Sequence, residues 1–239
     1  MHSGLRALVI QHERDIPGGS VDEWLDERGI DRDVLRIQAD ERALDAAAYD
    51  LVVCLGSWHG AYEDLAWIRR EEALLRDAHE REIPILAICF GSQLLARALG
   101  GEAFRRREPE VGWLKVRTSD ESVVPEGPWL VWHFDSFTLP PGATLLAETP
   151  AAPQAYAIGR SLGIQFHAEV TFGTIASWLR RCSNELEQAG VDTRRLLAES
   201  HERVAEARAS ALRLFDAFLE TGAAHTDAAL SAQRPSHSL

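Results

Sequence analysis

Cysteine is scarce in this chain: Cys54, Cys89 and Cys182 are three among 239 residues, an odd number without CxxC spacing. That argues against a disulfide framework and a structural zinc site, and it points to a reducing compartment. Long apolar runs are missing too. None approaches the roughly 18 residues of a membrane helix, and the opening Met1-His2-Ser3-Gly4-Leu5-Arg6 lacks the apolar core of a leader. The expectation is a cytoplasmic protein that engages no membrane. Basic charge is in deficit, with 25 Lys and Arg against 37 Asp and Glu and a net charge of −12. A general affinity for nucleic-acid phosphates is therefore disfavoured, and no basic stripe accompanies the seven tryptophans, which read as packing and pocket walls. No G-x-x-x-x-G-K-[ST] loop occurs, and His12, His59, His79 and His201 are scattered without HExxH spacing, so neither a nucleotide cradle nor a metal site is expected. Nor does a Pro/Ser-rich linker divide the chain, which favours one α/β domain over two.

What is present is an alternation of apolar runs and amphipathic stretches. Leu5–Gln11, Val34–Gln38 and Tyr49–Leu55 read as strands, and Val21–Arg28, with Ser20 as its cap, and Asp64–Glu82 read as helices. Leu65, Ile68, Glu72, Leu75 and His79 mark the turns of the second helix. This order points to a parallel sheet covered on both faces. After Gly101 the segments shorten to Gly112–Thr118, Trp129–Phe134, Thr144–Glu148, Ala155–Ile158 and Leu162–Phe166, which suggests partly antiparallel strands. Thr171–Arg181 and a long Asp192–Glu220 are helical, and the Ala/Ser/His-rich stretch from Gly222 reads as a tail. The expected division is residues 1–183 as the main domain, 184–222 as its helical extension and 223–239 as a flexible tail.

The centre of the chain is Ile83 to Gly101. Pro84-Ile85-Leu86-Ala87-Ile88 stops at Cys89-Phe90-Gly91, and Ser92–Leu99 then carries apolar residues at helical spacing. Buried strand, tight turn and helix in that order would push the Cys89 thiol to the exposed end of a parallel sheet. The unpaired N–H groups of a helix N-terminus favour a negatively charged sulfur. A nucleophilic thiol needs a base, and a base needs an orienting group. Gly163-Ile164-Gln165-Phe166-His167-Ala168-Glu169 supplies a histidine and a glutamate two apart, on one side if strand geometry continues through them. Cys54, in an apolar strand, reads as core; Cys182 ends a helix without an evident partner.

Together these segments resemble the class I glutamine amidotransferase domain with its Cys-His-Glu triad. The resemblance covers about Leu5 to Glu169 and includes Glu110-Val111-Gly112-Trp113 and Trp132-His133-Phe134-Asp135. Within that family the chain looks most like stand-alone proteins similar to the amidotransferase half of GMP synthetase. The resemblance implies a flavodoxin-like, open and mostly parallel α/β sheet with helices on both faces, an antiparallel extension and a long C-terminal helix. It implies Cys89 as nucleophile, His167 as base and Glu169 as its orienting carboxylate. The backbone N–H groups of Ser57 and Phe90 would receive the oxyanion, and Gln93, Phe134 and Asp135 would hold the amino-acid end of the substrate. Neither metal nor cofactor is implied; for Glu110 and Trp113 a structural role is expected.

Three departures from the family pattern stand out: Ala87 for an elbow glycine, Ala168 for the proline between base and carboxylate, and Ser57-Trp58 for the end of a Gly-Gly-Pro loop. The last is expected to narrow the pocket above the oxyanion position, with Trp58, and to alter substrate preference. The implied activity is hydrolysis of the glutamine side-chain amide through a γ-glutamyl thioester, with ammonia passed to a synthetase on a separate chain. Two alternatives are a γ-glutamyl peptidase using the same triad and a non-catalytic binding or regulatory protein with a vestigial site.

Overall fold

The computed structural model describes residues 4–40 and 45–232, with side chains to Thr221. Its main sheet has eight strands: β1 (Arg6–Gln11), β2 (Asp31–Arg36), β3 (Leu51–Cys54), β4 (Ile85–Ile88), β6 (Arg117–Thr118), β8 (Thr144–Glu148), β9 (Pro153–Ile158) and β10 (Ser161–Ile164). The remaining pair, β5 (Ala103–Leu114) and β7 (Trp129–Phe137), forms a separate antiparallel ribbon. The order β2-β1-β3-β4-β10-β9-β8-β6 is parallel from β2 to β10 and antiparallel beyond it. This is the open, mostly parallel sheet with an antiparallel extension that the strand and helix order implies.

The helices are α1 (Ser20–Arg28), α2 (Ala66–Glu80), α3 (Phe90–Ala98), α4 (Phe172–Arg181), α5 (Ser183–Gln188) and α6 (Thr193–Ala232). Alternate strand residues feed two cores, as a period of two requires. Val9, Val53, Leu86 and Ile164 pack beneath Trp24 and Leu25 of α1 and Leu214 and Phe215 of α6. Leu8, Ile10, Val52 and Ile85 pack beneath Leu75 of α2 and Leu94 and Leu95 of α3. β3 and β4 are buried along their whole length, which is why their sequences are unbroken apolar runs. The long α6 lies on its own domain, where Asp216 accepts from Trp24 Nε1 at 2.9 Å and pairs with Arg28. It continues past Glu220 to Ala232; residues 233–239 of the expected tail lie outside the described residues. No helix among the described residues is long and apolar enough to cross a membrane.

Several boundaries differ from expectation. β2 begins at Asp31, three residues before the apolar Val34, because it is an edge strand of which only Leu35 is buried. An edge tolerates charge, so its ladder leaves no apolar pattern. β5 starts at Ala103 rather than Gly112 and passes through Arg105-Arg106-Arg107-Glu108, where the register with β7 shifts. Ser20 does not cap α1. Gly19 is the N-cap, at φ 52°, and the Ser20 hydroxyl donates instead to the Ala168 carbonyl at 2.7 Å.

The turn after β4 depends on a small residue at Gly91. A Cβ there would lie 2.4 Å from the Cys54 carbonyl oxygen and 2.7 Å from its sulfur, inside any allowed contact. Gly91→Ala must push α3 off β3, and overpacking of this kind typically costs about 1–3 kcal/mol. A lower urea midpoint than wild type is expected; an unchanged midpoint would show that the elbow yields freely.

Candidate active site

The local sequence forces Cys89 into an uncommon backbone state. The chain leaves β4 at Ile88 and enters α3 at Phe90, so Cys89 is the entire connection, with φ 53° and ψ −109°. Positive φ in a residue with a Cβ is unfavourable and persists only where neighbours enforce it. Here they do: the Cys89 N–H donates to Ile164 of β10 at 2.8 Å, and its carbonyl accepts from the Ser92 hydroxyl at 2.7 Å and the Gln93 N–H at 3.1 Å. The thiol sits at the N-terminus of α3 and is 8% exposed.

His167 and Glu169 come to the same place by a different route from strand continuation. β10 ends at Ile164, and the chain then crosses to β7, where the His167 N–H donates to the Leu130 carbonyl at 2.8 Å. From there His167 Nδ1 meets Glu169 Oε1 at 2.7 Å, and both side chains are buried. A carboxylate only accepts, so Nδ1 carries a proton. Nε2 lies 3.3 Å from the Trp132 carbonyl, and the Cys89 sulfur lies 4.0 Å from that same oxygen. Burial alone would lower the His167 pKa, but the charges of Glu169 and Cys89 outweigh it and hold the imidazole well above its ordinary value. Both charges favour the protonated form of a ring that stands between a carboxylate and a sulfur.

The alanine that replaces the proline at 168 is not left slack. Ser20, at the start of α1, donates its hydroxyl to Ala168 and its N–H to the Glu169 carbonyl at 2.9 Å. Gly19 is pressed so close to this segment that a Cβ would fall 2.0 Å from the Glu169 carbonyl oxygen. The N-terminus of α1 therefore supplies the rigidity that a proline ring would give. Ala87 fits within β4 with no exposure, paired with Cys54 on one side and Gly163 on the other.

One pocket is lined by Cys89, Phe90, Gln93, Ser57, Trp58 and His167, together with Trp132, Phe134, Asp135 and Trp178. Every candidate residue except the buried Glu169 thus faces a common space, and Glu169 stands behind His167. Gln93 is 2% exposed, and its amide donates to Gln165 at 3.1 Å, so it is not a helix-surface amide. Asp135 is partly buried beside Arg105, 3.4 Å away, and burial raises its pKa against the pull of that guanidinium. Glu110, which has no chemical role in the sequence, accepts from Gln154 Nε2 at 3.1 Å and pairs with His133 Nε2 at 3.2 Å. It steadies the segment that ends in Phe134 and Asp135.

Pocket walls that the motifs do not contain are Trp178, edge-on to His167 at 4.9 Å, Ile16, Arg105 and Glu185. They come from a loop, the β5 bulge and the C-terminal helices. Trp58 packs edge-on against Trp178 at 5.7 Å, and the Arg181 guanidinium lies over its ring. The space beside the thiol is therefore walled by indole rings.

The family model described as glutamine amidotransferase class-I matches residues 19–185. A crystal structure of a glutamine amidotransferase from Thermotoga maritima superposes with a TM-score of 0.82 at 30% identity, over 92% of this chain and all of that one. The GMP synthase [glutamine-hydrolyzing] of Aeropyrum pernix is 43% identical over 95 residues, 36% of this chain and 19% of that protein. The corresponding protein of Thermus thermophilus is 38% identical over 117 residues, 46% of this chain and 23% of that one. The chain thus matches about a fifth of the length of these two relatives.

Proposed function

The chain belongs to the class-I glutamine amidotransferase family, and from that membership we propose that it hydrolyses the side-chain amide of glutamine through a γ-glutamyl thioester on Cys89. The observation that carries this reading is the pairing of a strained thiol at a helix N-terminus with an imidazole fixed by Glu169 at 2.7 Å, both aimed at one carbonyl.

In the proposed reaction the Cys89 sulfur attacks the amide carbon, forming the C–S bond as the carbonyl oxygen takes up negative charge. The Ser57 and Phe90 N–H groups receive that charge; among the described residues neither donates to a protein acceptor. One such donor is typically worth about 3 kcal/mol of barrier. As the oxyanion collapses, the C–N bond breaks and His167 protonates the departing nitrogen, which leaves as ammonia. With sulfur now in a neutral thioester, one of the two charges that raise the imidazole is gone. The neutral ring can then take a proton from water, whose oxygen attacks the thioester and releases glutamate and the thiol. Gln93, Phe134 and Asp135 are proposed to hold the amino-acid end. The ammonia would pass to an acceptor enzyme, in keeping with relatives whose names describe glutamine-hydrolysing GMP synthases.

A second reading rests on the indole walls around Trp58. The same thioester forms when the leaving group is the amine of a γ-glutamyl peptide, and an apolar wall accommodates such an amine better than ammonia requires. Parallel assays with glutamine and γ-glutamyl peptides, measuring ammonia against free amine, decide between them. Turnover of glutamine supports the first reading and turnover of peptides alone the second. No turnover of either would leave a binding protein with an idle triad.

Glu169 is assigned an orienting role, which sets the size of its effect. Glu169→Gln keeps the shape but removes the charge that holds the imidazolium. Its loss in kcat should be smaller than that from removing the thiol by roughly two orders of magnitude. A rate equal to wild type would separate the carboxylate from the reaction.

A further inference from the structure

Behind the pocket lies a second buried cluster with no part in the steps above. His12, at the end of β1, is 5% exposed; Glu71 on α2 and Cys54 on β3 have no exposure. His12 Nε2 lies 2.8 Å from Glu71 Oε2, and the Cys54 thiol donates to Glu71 Oε1 at 2.9 Å. On its other side His12 Nδ1 lies 2.8 Å from the Gly56 carbonyl. Three ligand types within 4.8 Å raise the question of a metal ion. The separations answer it: ligands around a tetrahedral zinc stand more than about 3 Å apart, because each bond is itself roughly 2.0–2.3 Å. Contacts of 2.8 and 2.9 Å are spacings for shared protons.

The Gly56 carbonyl is the informative partner. It belongs to the same peptide unit as the Ser57 N–H, and in a planar trans peptide the two point in opposite directions. A carbonyl only accepts, so His12 Nδ1 carries the proton, and anchoring that carbonyl at His12 turns the Ser57 N–H away from His12. This peptide lies beside the nucleophile: a Cβ on Gly56 would lie 3.5 Å from the His167 ring and 3.8 Å from the Cys89 Cβ, and Ser57 lines the same pocket as Cys89. His12 is clamped as well, by Glu71 and by the Phe90 ring, edge-on at 4.8 Å. Phe90, whose backbone N–H is the other proposed oxyanion donor, thus packs its ring against the same imidazole.

We propose that His12 and Glu71 are positioning residues that set the orientation of the Ser57 N–H toward the developing oxyanion. The inference rests on the thioester reading above. It touches only the transition state, because the ground-state substrate is held elsewhere in the pocket.

The test is steady-state kinetics of His12→Ala, His12→Asn, Glu71→Ala and Glu71→Gln with the better of the two substrates, alongside alkylation of Cys89 by iodoacetamide, which needs no oxyanion donor. His12→Ala should lose about 10²-fold in kcat, the typical cost of one donor, with KM within about threefold. Its alkylation rate should be unchanged. Asparagine can still donate to the Gly56 carbonyl and should recover part of the loss. Glu71→Gln can donate to the imidazole and should stay within about fivefold of wild type, whereas Glu71→Ala should follow His12→Ala. Should His12→Ala not fold, Glu71→Ala set against Glu71→Gln carries the same comparison. A folded His12→Ala with wild-type kcat overturns the inference while leaving the thioester reading intact, as does a loss in KM alone. A stoichiometric metal that disappears in these variants overturns it too. A wild-type protein inactive on both substrates overturns both.

Discussion

Cys89→Ala and Cys89→Ser are expected to lose turnover of glutamine or γ-glutamyl peptide by on the order of 10⁴- to 10⁶-fold, the range seen when a triad nucleophile is removed. The fold should survive, because the thiol donates at best a long contact to the Trp132 carbonyl, and the hydrogen bonds that fix the elbow belong to the backbone of residue 89 and the hydroxyl of Ser92. Serine is not a functional substitute, since an alkoxide is far less available than a thiolate in this setting. A spectroscopic consequence follows from the charges around His167. One of the influences that raise its imidazole is the Cys89 sulfur, so the ring should titrate at lower pH in Cys89→Ala than in wild type. The direction is readable by NMR, and a variant with retained activity or an unmoved imidazole would contradict the pairing.

His167→Ala should reduce kcat on a comparable scale. It removes the proton donor for the leaving nitrogen, the base for water and the cation beside the sulfur at one stroke. The wild-type pH profile should share that origin. Because the charges of Glu169 and Cys89 raise the His167 pKa, the imidazolium persists to higher pH than that of an ordinary histidine. The rate of thioester formation should fall only as the pH rises through that raised value. Pre-steady-state release of ammonia or amine measures this step. A fall beginning at or below the ordinary histidine range would place the proton elsewhere.

The elbow and its partners were legible because they are written in short, continuous stretches. A buried strand shows as the run Ile85 to Ile88, its end shows as Cys89-Phe90-Gly91, and His167 and Glu169 are two apart in the chain. Their coming together does not depend on the strand alternation that the spacing suggests. It depends on a bridge to Leu130 and on Ser20, whose donation to Ala168 no local pattern announces. Trp178 and Arg105 face the pocket from segments remote in sequence, so no motif contains them. Charge also misleads. In α2, Glu72 marks a turn of the amphipathic pattern, yet it is Glu71 that has no exposure, because His12 and Cys54 meet it at the ends of two strands. Glu72 is left to pair with Arg76 and Arg97 nearer the surface. The first part of β5 was hidden for a related reason: a ribbon arm bearing Arg105, Arg106 and Arg107 carries too little apolar alternation to be read as a strand.

Mass analysis of the intact protein after exposure to a glutamine-mimicking electrophile, such as a diazoketone or chloroketone analogue, interrogates the thiol directly. A single adduct on the peptide that contains Cys89, slowed by competing glutamine or γ-glutamyl peptide, is the expected result. An unmodified Cys89, or labelling of Cys182 that the competitors leave untouched, would contradict a nucleophile at the head of α3.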